Sequence, residues 1–228
     1  MSGYITRKEV LAETTWTKLF PGHSILCDAG GMELQILSVV GVISPQGAYL
    51  ESHGDYQTGE DLDHFVNAHR KLSLVTPEAY PQYFQDDFYR AYNHLKILQN
   101  LSSQSSSLAA SHFLSADVEE KEGPALHFSE PIFRAVGDFY PVDVQSSIEE
   151  LQAYPMRQEY QSLLGSLEGT YGLEQPFGAV FKGDSLCPPD SLSDILPGAL
   201  VEMKFGLSSS TWNRFFPTVR SIIIIAPK

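Results

Sequence analysis

The chain has 228 residues, 43% hydrophobic and 19% charged, and carries a formal net charge of −13. That is enough apolar content for a sizeable core and too little charge for a coiled coil or a disordered acidic chain. The acid excess disfavours polyanions and anionic membrane surfaces everywhere except residues 201–228, where Lys204, Arg214, Arg220 and Lys228 stand against Glu202 alone.

Residues 1–16 lack the apolar stretch and small-residue cleavage site of a secretory signal, and the apolar runs at 36–43 and 222–226 are too short to span a membrane. Cys27 and Cys187 have no partner at metal-ligand or redox-motif spacing, as expected for reduced thiols. The expectation is an intracellular protein with no membrane partner.

Residues 24–51 predict a β-meander. The β-branched run MELQILSVVGVIS lies between the turn residues CDAGG and SPQG, and AYLES is read as a partner strand. A helix is expected over about 59–73. Thr58 and Asp61 resemble a capping box, and Leu62, Phe65, Val66, His69 and Leu72 recur on one helical face. A second helix is expected over 86–101, its stripe made of Phe88, Tyr92, Leu95 and either Leu98 or Gln99, with Asp86 and Asp87 in the first turn. The serine-rich and acidic segment at about 102–123 reads as a flexible, solvated connection.

Ser146 and Glu149 form a capping box that opens a third helix, which Pro155 ends, and a further turn runs to Leu164. The last third returns to β-structure. FGAVFK is a strand with Phe177 or Val180 in the core, and GALVEMKFGL alternates Val201, Met203 and Phe205 with Glu202 and Lys204. Ile222–Ile225 are apolar on both faces, which predicts a covered strand. The expected fold is therefore α+β and β-rich: a small antiparallel barrel or curved sheet built from 24–51 and 176–227. Two to three helices, near 59–73, 86–101 and 146–164, pack on it within a single domain spanning 1–228. The Pro-Gly turn, alternating strand, loop and long terminal strand are similar to the final hairpin of small OB-type barrels.

The chemistry suggested by this hairpin is binding rather than catalysis. Trp212, Phe215 and Phe216 interleave with Arg214 and Arg220, and Lys204 lies on the preceding strand. Aromatic faces beside guanidinium groups suit single-stranded nucleic acid, because rings stack on bases while arginines meet phosphates. The leading expectation is a non-enzymatic binding module using Lys204, Trp212, Arg214, Phe215 and Arg220, with no cofactor. Its partner is single-stranded nucleic acid or another protein. The competing reading of the same rings is that they close one end of the core, and the burial of Trp212 and Phe216 decides between the two.

Two enzymatic alternatives come from short motifs. His53-Gly54-Asp55 after a strand resembles the His-x-Asp pair of iron- and 2-oxoglutarate-dependent oxygenases, a resemblance that implies a metal site of His53, Asp55 and a distal histidine, His127, with Arg134 as co-substrate anchor. Gly183-Asp184-Ser185-Leu186 resembles the nucleophile motif of GDSL-type serine hydrolases. That family places an Asp-x-x-His after its serine, whereas the last histidine here is His127, and Pro188 and Pro189 block the helix that should follow Ser185.

Overall fold

A computed structural model of the chain describes residues 2–102, 113–115, 123–136, 144–174, 177–210 and 215–228. From the N-terminus these form β1 (Ser2–Tyr4), α1 (Lys8–Ala12), β2 (Thr14–Phe20), β3 (His23–Asp28), β4 (Ile36–Ile43), α2 (Leu62–Val66) and β5 (His69–Val75). Next come α3 (Gln82–Ser102), β6 (Leu114–Ser115), β7 (Ala125–Pro131), β8 (Phe133–Ala135), α4 (Val144–Ala153), α5 (Gln161–Gly165) and β9 (Tyr171–Leu173). The C-terminal part holds β10 (Ala179–Lys182), β11 (Ser185–Leu186), α6 (Leu192–Ile195), β12 (Leu200–Ser210) and β13 (Phe215–Ala226).

The architecture is α+β and β-rich. Eleven strands make one sheet along the path β11-β10-β13-β12-β4-β5-β7-β6, with β1 on β4 and the β2–β3 hairpin attached through β3 to β12, while β8 and β9 pair separately. The β12–β13 hairpin is its spine. Val201, Met203, Phe205 and Leu207 point into the core, as their alternation requires, and Glu202 and Lys204 point away from it. On β13 Ile222 and Ile224 are buried between β12 and β10, but Ile225 reaches solvent, so the four-isoleucine run is covered on one face and only partly on the other.

Among the described residues the sheet does not close into a barrel. It nevertheless bends far enough to bring β7 back to β13, with three strands between them along the path, where Val219 N–H donates to Glu130 Oε1 at 2.9 Å. A side chain, not a ladder of backbone bonds, bridges that gap.

Several local expectations change. Residues 59–73 are only partly helical: α2 ends at Val66, and His69–Val75 form β5. Leu72 fits a helical period counted from Leu62, but it also fits the two-residue alternation of Arg70, Leu72 and Leu74, and pairing with β7 selects the strand. Asp61, not Thr58, caps α2, its carboxylate accepting from His64 N–H. AYLES is not a strand; Tyr49 makes a single bridge to Lys71, and β5 takes the place beside β4. Nor do β3 and β4 form a meander, because β3 pairs with β2 and β12.

Helix α3 starts at Gln82, directly after Pro81, and buries Phe88, Ala91, Tyr92, Leu95 and Leu98 against the sheet. Its stripe therefore runs through Leu98 rather than Gln99, and Asp86 and Asp87 fall beyond its first turn. Helix α4 begins at Val144, upstream of the Ser146–Glu149 box, and ends before Pro155. Most of the 102–123 segment lies outside the described residues. Within them Phe113 is not solvated: it is buried, its ring edge-on to Phe128 and Phe205.

Two apolar clusters result. The larger lies between α3 and the sheet, and the smaller gathers Tyr56, Phe65, Ile132, Phe133, Tyr160 and Leu164 with α4. Strands β5 and β7 run between them. On their inner faces Leu74 and Leu72 pair with Leu126 and Phe128 in the larger cluster, while Ala68 and Ile132, which flank the two strands and are joined by a 3.0 Å backbone bond, belong to the smaller. The rung between them is Arg70 opposite Glu130. No helix among the described residues is long and apolar enough to cross a membrane.

Candidate functional site

The hairpin residues separate by face. Phe215 opens β13 with its side chain in the core, only 6% exposed, its ring edge-on to Trp16 at 5.8 Å. It holds the end of the sheet together and presents no face to a ligand. Phe216, one residue on and so on the opposite face, is 48% exposed. Trp212 and Arg214 lie outside the described residues.

Arg220 is the extra residue of a β-bulge. Lys204 pairs with Ser221 and Phe205 with Val219, which leaves Arg220 unmatched and reverses the inward phase from Phe215, Pro217 and Val219 to Ile222 and Ile224. The bulge keeps Arg220 outward, exposed, one rung from the half-buried Lys204.

Beside this outward face is a cleft of about 760 Å³. Phe216, Thr218 and Arg220 line one side; Glu130, Arg134 and Glu174 contribute to its lining, with Arg134 Nε 3.5 Å from Glu174 Oε2. The cleft lies where β10 joins β13 only from Ser221 onward, leaving the first half of that strand edge with no ladder to another strand among the described residues. Gly178 sets the boundary. Its φ of +43° and an added Cβ only 2.2 Å from the Arg220 carbonyl oxygen leave room for no other residue where β10 meets β13. The exposed edge is blunted twice: Pro217 has no N–H to offer, and Glu130 takes the N–H of Val219.

Glu130 is 8% exposed. Burial pushes its carboxyl up to about 7; Glu174 adds to the rise, while the Val219 N–H, Arg70 and Arg220 act against it. A carboxyl poised there changes charge near neutrality. Opposite it, Arg70 is 6% exposed and turns away towards α4. Its Nη2 donates to Tyr154 Oη, and Tyr154 O–H donates at 2.8 Å to the Ser52 carbonyl. Nη1 of Arg70 is buried with no hydrogen-bond partner among the described residues. These two charged groups occupy inward positions that alternation assigns to apolar residues, and both adjoin open space.

The His53, Asp55 and His127 set is not brought together. Gly54 (φ +58°), where a Cβ would meet the His69 carbonyl at 2.4 Å, makes the motif a tight turn against the start of β5. There Asp55 accepts from His69 N–H at 2.7 Å and pairs with Lys71, so its carboxylate is committed to the fold. His53 packs its ring on Tyr160 at 5.2 Å; its Nδ1, though 3.5 Å from Glu51 Oε2, makes no hydrogen bond. Burial, with help from Arg157, holds that imidazole below its ordinary value. His127 bonds Ser73 Oγ at 2.7 Å, four residues, or about 13 Å, along β5 from His69. Among the described residues no three histidine, cysteine or carboxylate side chains form a group able to hold a metal. Ser185 sits exposed in the two-residue β11, which turns back on β10 so that its cross-strand neighbour is Lys182.

Arg70, Glu130 and Tyr154 carry no motif. Their signal in the sequence is one of phase: in HRKLSLV the arginine is in step with Leu72 and Leu74, and in ALHFSEP the glutamate is in step with Leu126 and Phe128. It becomes visible only once both segments are taken as strands. No protein-family model matches the chain, and comparison with curated proteins and with solved structures finds no match.

Proposed function

We propose that the protein is a non-enzymatic binding module and that single-stranded nucleic acid lies along the outward face of β13 and into the adjoining cleft. The observation that carries this reading is the placement of Phe216, Thr218 and Arg220 on one strand face beside open space, with the Phe216 ring 48% exposed. An accessible ring offers a stacking surface to a base, an interaction on the order of 1–3 kcal/mol. Arg220 and Arg134 offer guanidinium groups for phosphates, and Lys204 extends the positive row on β12. Trp212 and Arg214 join the set by sequence position, in the connection between β12 and β13. A bent, unclosed sheet with a terminal hairpin is in this limited sense OB-like. With a net charge of −13 and Glu130 and Glu174 in the same cleft, binding uses few phosphates and is confined to this face.

The test is fluorescence anisotropy of a labelled oligothymidylate at low and rising salt. Binding is expected at low salt, weakening with a shallow slope of about −0.7 per phosphate contacted. Phe216→Ala and Arg220→Ala are each expected to weaken it about tenfold. An absence of binding at low salt, or equal binding by Phe216→Ala, overturns the reading.

A further inference from the structure

Arg70 points away from the nucleic-acid face, into a second and smaller cavity of about 280 Å³. Its guanidinium is a permanent charge with five N–H donors in a planar fork. One donor is used by Tyr154, while Nη1 is buried with no acceptor among the described residues. No described carboxylate forms a salt bridge with Arg70: its cross-strand neighbour Glu130 is turned to Val219, although the two attract through space. An uncompensated buried charge is costly, and an anion in the cavity that Arg70 lines offsets that charge.

The rest of the cavity narrows the chemistry. Leu50, Phe177 and Leu192 supply apolar wall, and Ser193 stands among the lining residues. At the same pocket Arg157 is already engaged by Glu51 and Glu159. It brings no spare positive charge for a dianion, and the Glu51 carboxylate in the lining opposes a second negative charge. A single planar negative charge with a small apolar body matches what is left: the Arg70 guanidinium, with no salt bridge to a described carboxylate, beside the apolar walls of Leu50, Phe177 and Leu192. We propose that this cavity is a binding site for a small monocarboxylate with a short aliphatic or aromatic tail, anchored on Arg70.

The experiment is ligand-observed NMR and calorimetric titration of the full chain with benzoate and hexanoate. Benzyl alcohol and hexanol serve as neutral isosteres, and inorganic phosphate as the competing anion. The carboxylates are expected to bind and the alcohols not to. Arg70→Lys, which keeps the charge but loses the fork, should weaken carboxylate binding at least about tenfold. Ser193→Phe, which fills the cavity from a partly exposed position, should abolish it while the thermal transition is retained. If Arg70→Lys does not fold, the Ser193→Phe result decides. Phe216→Ala should leave carboxylate binding unchanged, which separates this site from the nucleic-acid reading. The proposal is overturned if neither carboxylate binds, if phosphate binds more tightly, or if Ser193→Phe binds like the parent. It also fails if Glu130→Gln removes binding while Arg70→Lys preserves it, since the guanidinium then serves Glu130 alone.

Discussion

Arg70 and Glu130 stand directly opposite each other on β5 and β7, yet their charged ends part company, one towards Tyr154 and the other towards Val219. On one side of this rung the two strands carry the apolar pair Leu72 and Phe128; on the other, just past their ends, Ala68 and Ile132 are joined by a backbone hydrogen bond. The polar rung is thus the seam between two hydrophobic clusters, and the two cavities open from it.

Glu130 makes stability depend on pH near neutrality. Its carboxyl titrates at about 7 in the fold and near its ordinary 4.5 when unfolded, so between these values the folded state holds the extra proton. Its contribution is fully present below pH 4.5 and is lost as pH rises through 7. At about 1.4 kcal/mol per unit the loss is on the order of 3 kcal/mol. Glu130→Gln keeps an acceptor for Val219 N–H without the titration. Urea unfolding of both proteins from pH 4.5 to 8 should show a falling stability for the parent and a flatter profile for the variant. The variant should be the more stable at pH 8; a parent profile that does not fall would contradict the placement of this carboxyl.

The two adjacent rings at the start of β13 should behave oppositely. Phe215→Ala removes a buried ring packed on Trp16 and is expected to cost about 3–5 kcal/mol of unfolding free energy. Phe216→Ala truncates a half-exposed side chain and should stay within about 0.5 kcal/mol of the parent, with its effect confined to ligand binding. Denaturant melts of the two variants distinguish the roles; a large loss at Phe216 would mean that this ring is also core.

Asp55 is a fold residue by its bonds. Burial acts to raise its carboxyl, but the His69 N–H and Lys71 more than offset this and hold it below the ordinary carboxylate range. Its stabilisation is therefore present above the unfolded value of 3.8 and lost as pH falls through the lower folded value. Asp55→Asn should lower stability at neutral pH and flatten the acid limb of the stability curve below about pH 4. Circular dichroism melts from pH 2 to 7 check both. Added ferrous or zinc ion should leave the parent's melting temperature unchanged, because this carboxylate is already committed.

Much of the sheet and one helix were legible because their signals are local. Strict alternation marks β12, the turn residues Gly183-Asp184 close β10, and a stripe from Phe88 to Leu98 marks α3. Each of these patterns repeats at a spacing that only one kind of element satisfies. His69–Val75 did not have that property, since Leu72 suits a helix begun at Leu62 as well as a strand. The strand prevails only because β7 arrives from more than fifty residues away to pair with it.

The site is a harder case for the same reason. Sequence alone determined a β-rich α+β chain, the inward residues Val201, Met203 and Phe205 of β12, and a basic C-terminal segment in an acidic protein. It could not say which of Phe215 and Phe216 faces outward, because an aromatic pair satisfies either phase until a neighbour such as Trp16 covers one of them. It could not say that Asp55 is spent on His69 and Lys71, or that His127 lies elsewhere on the sheet. Nor could it show Arg70 and Glu130 as a rung, because a charge is out of place only relative to the face it occupies. Tertiary structure decided those matters. Face, partner and burial are properties of two segments in contact, and the contacts here join residues far apart in the chain.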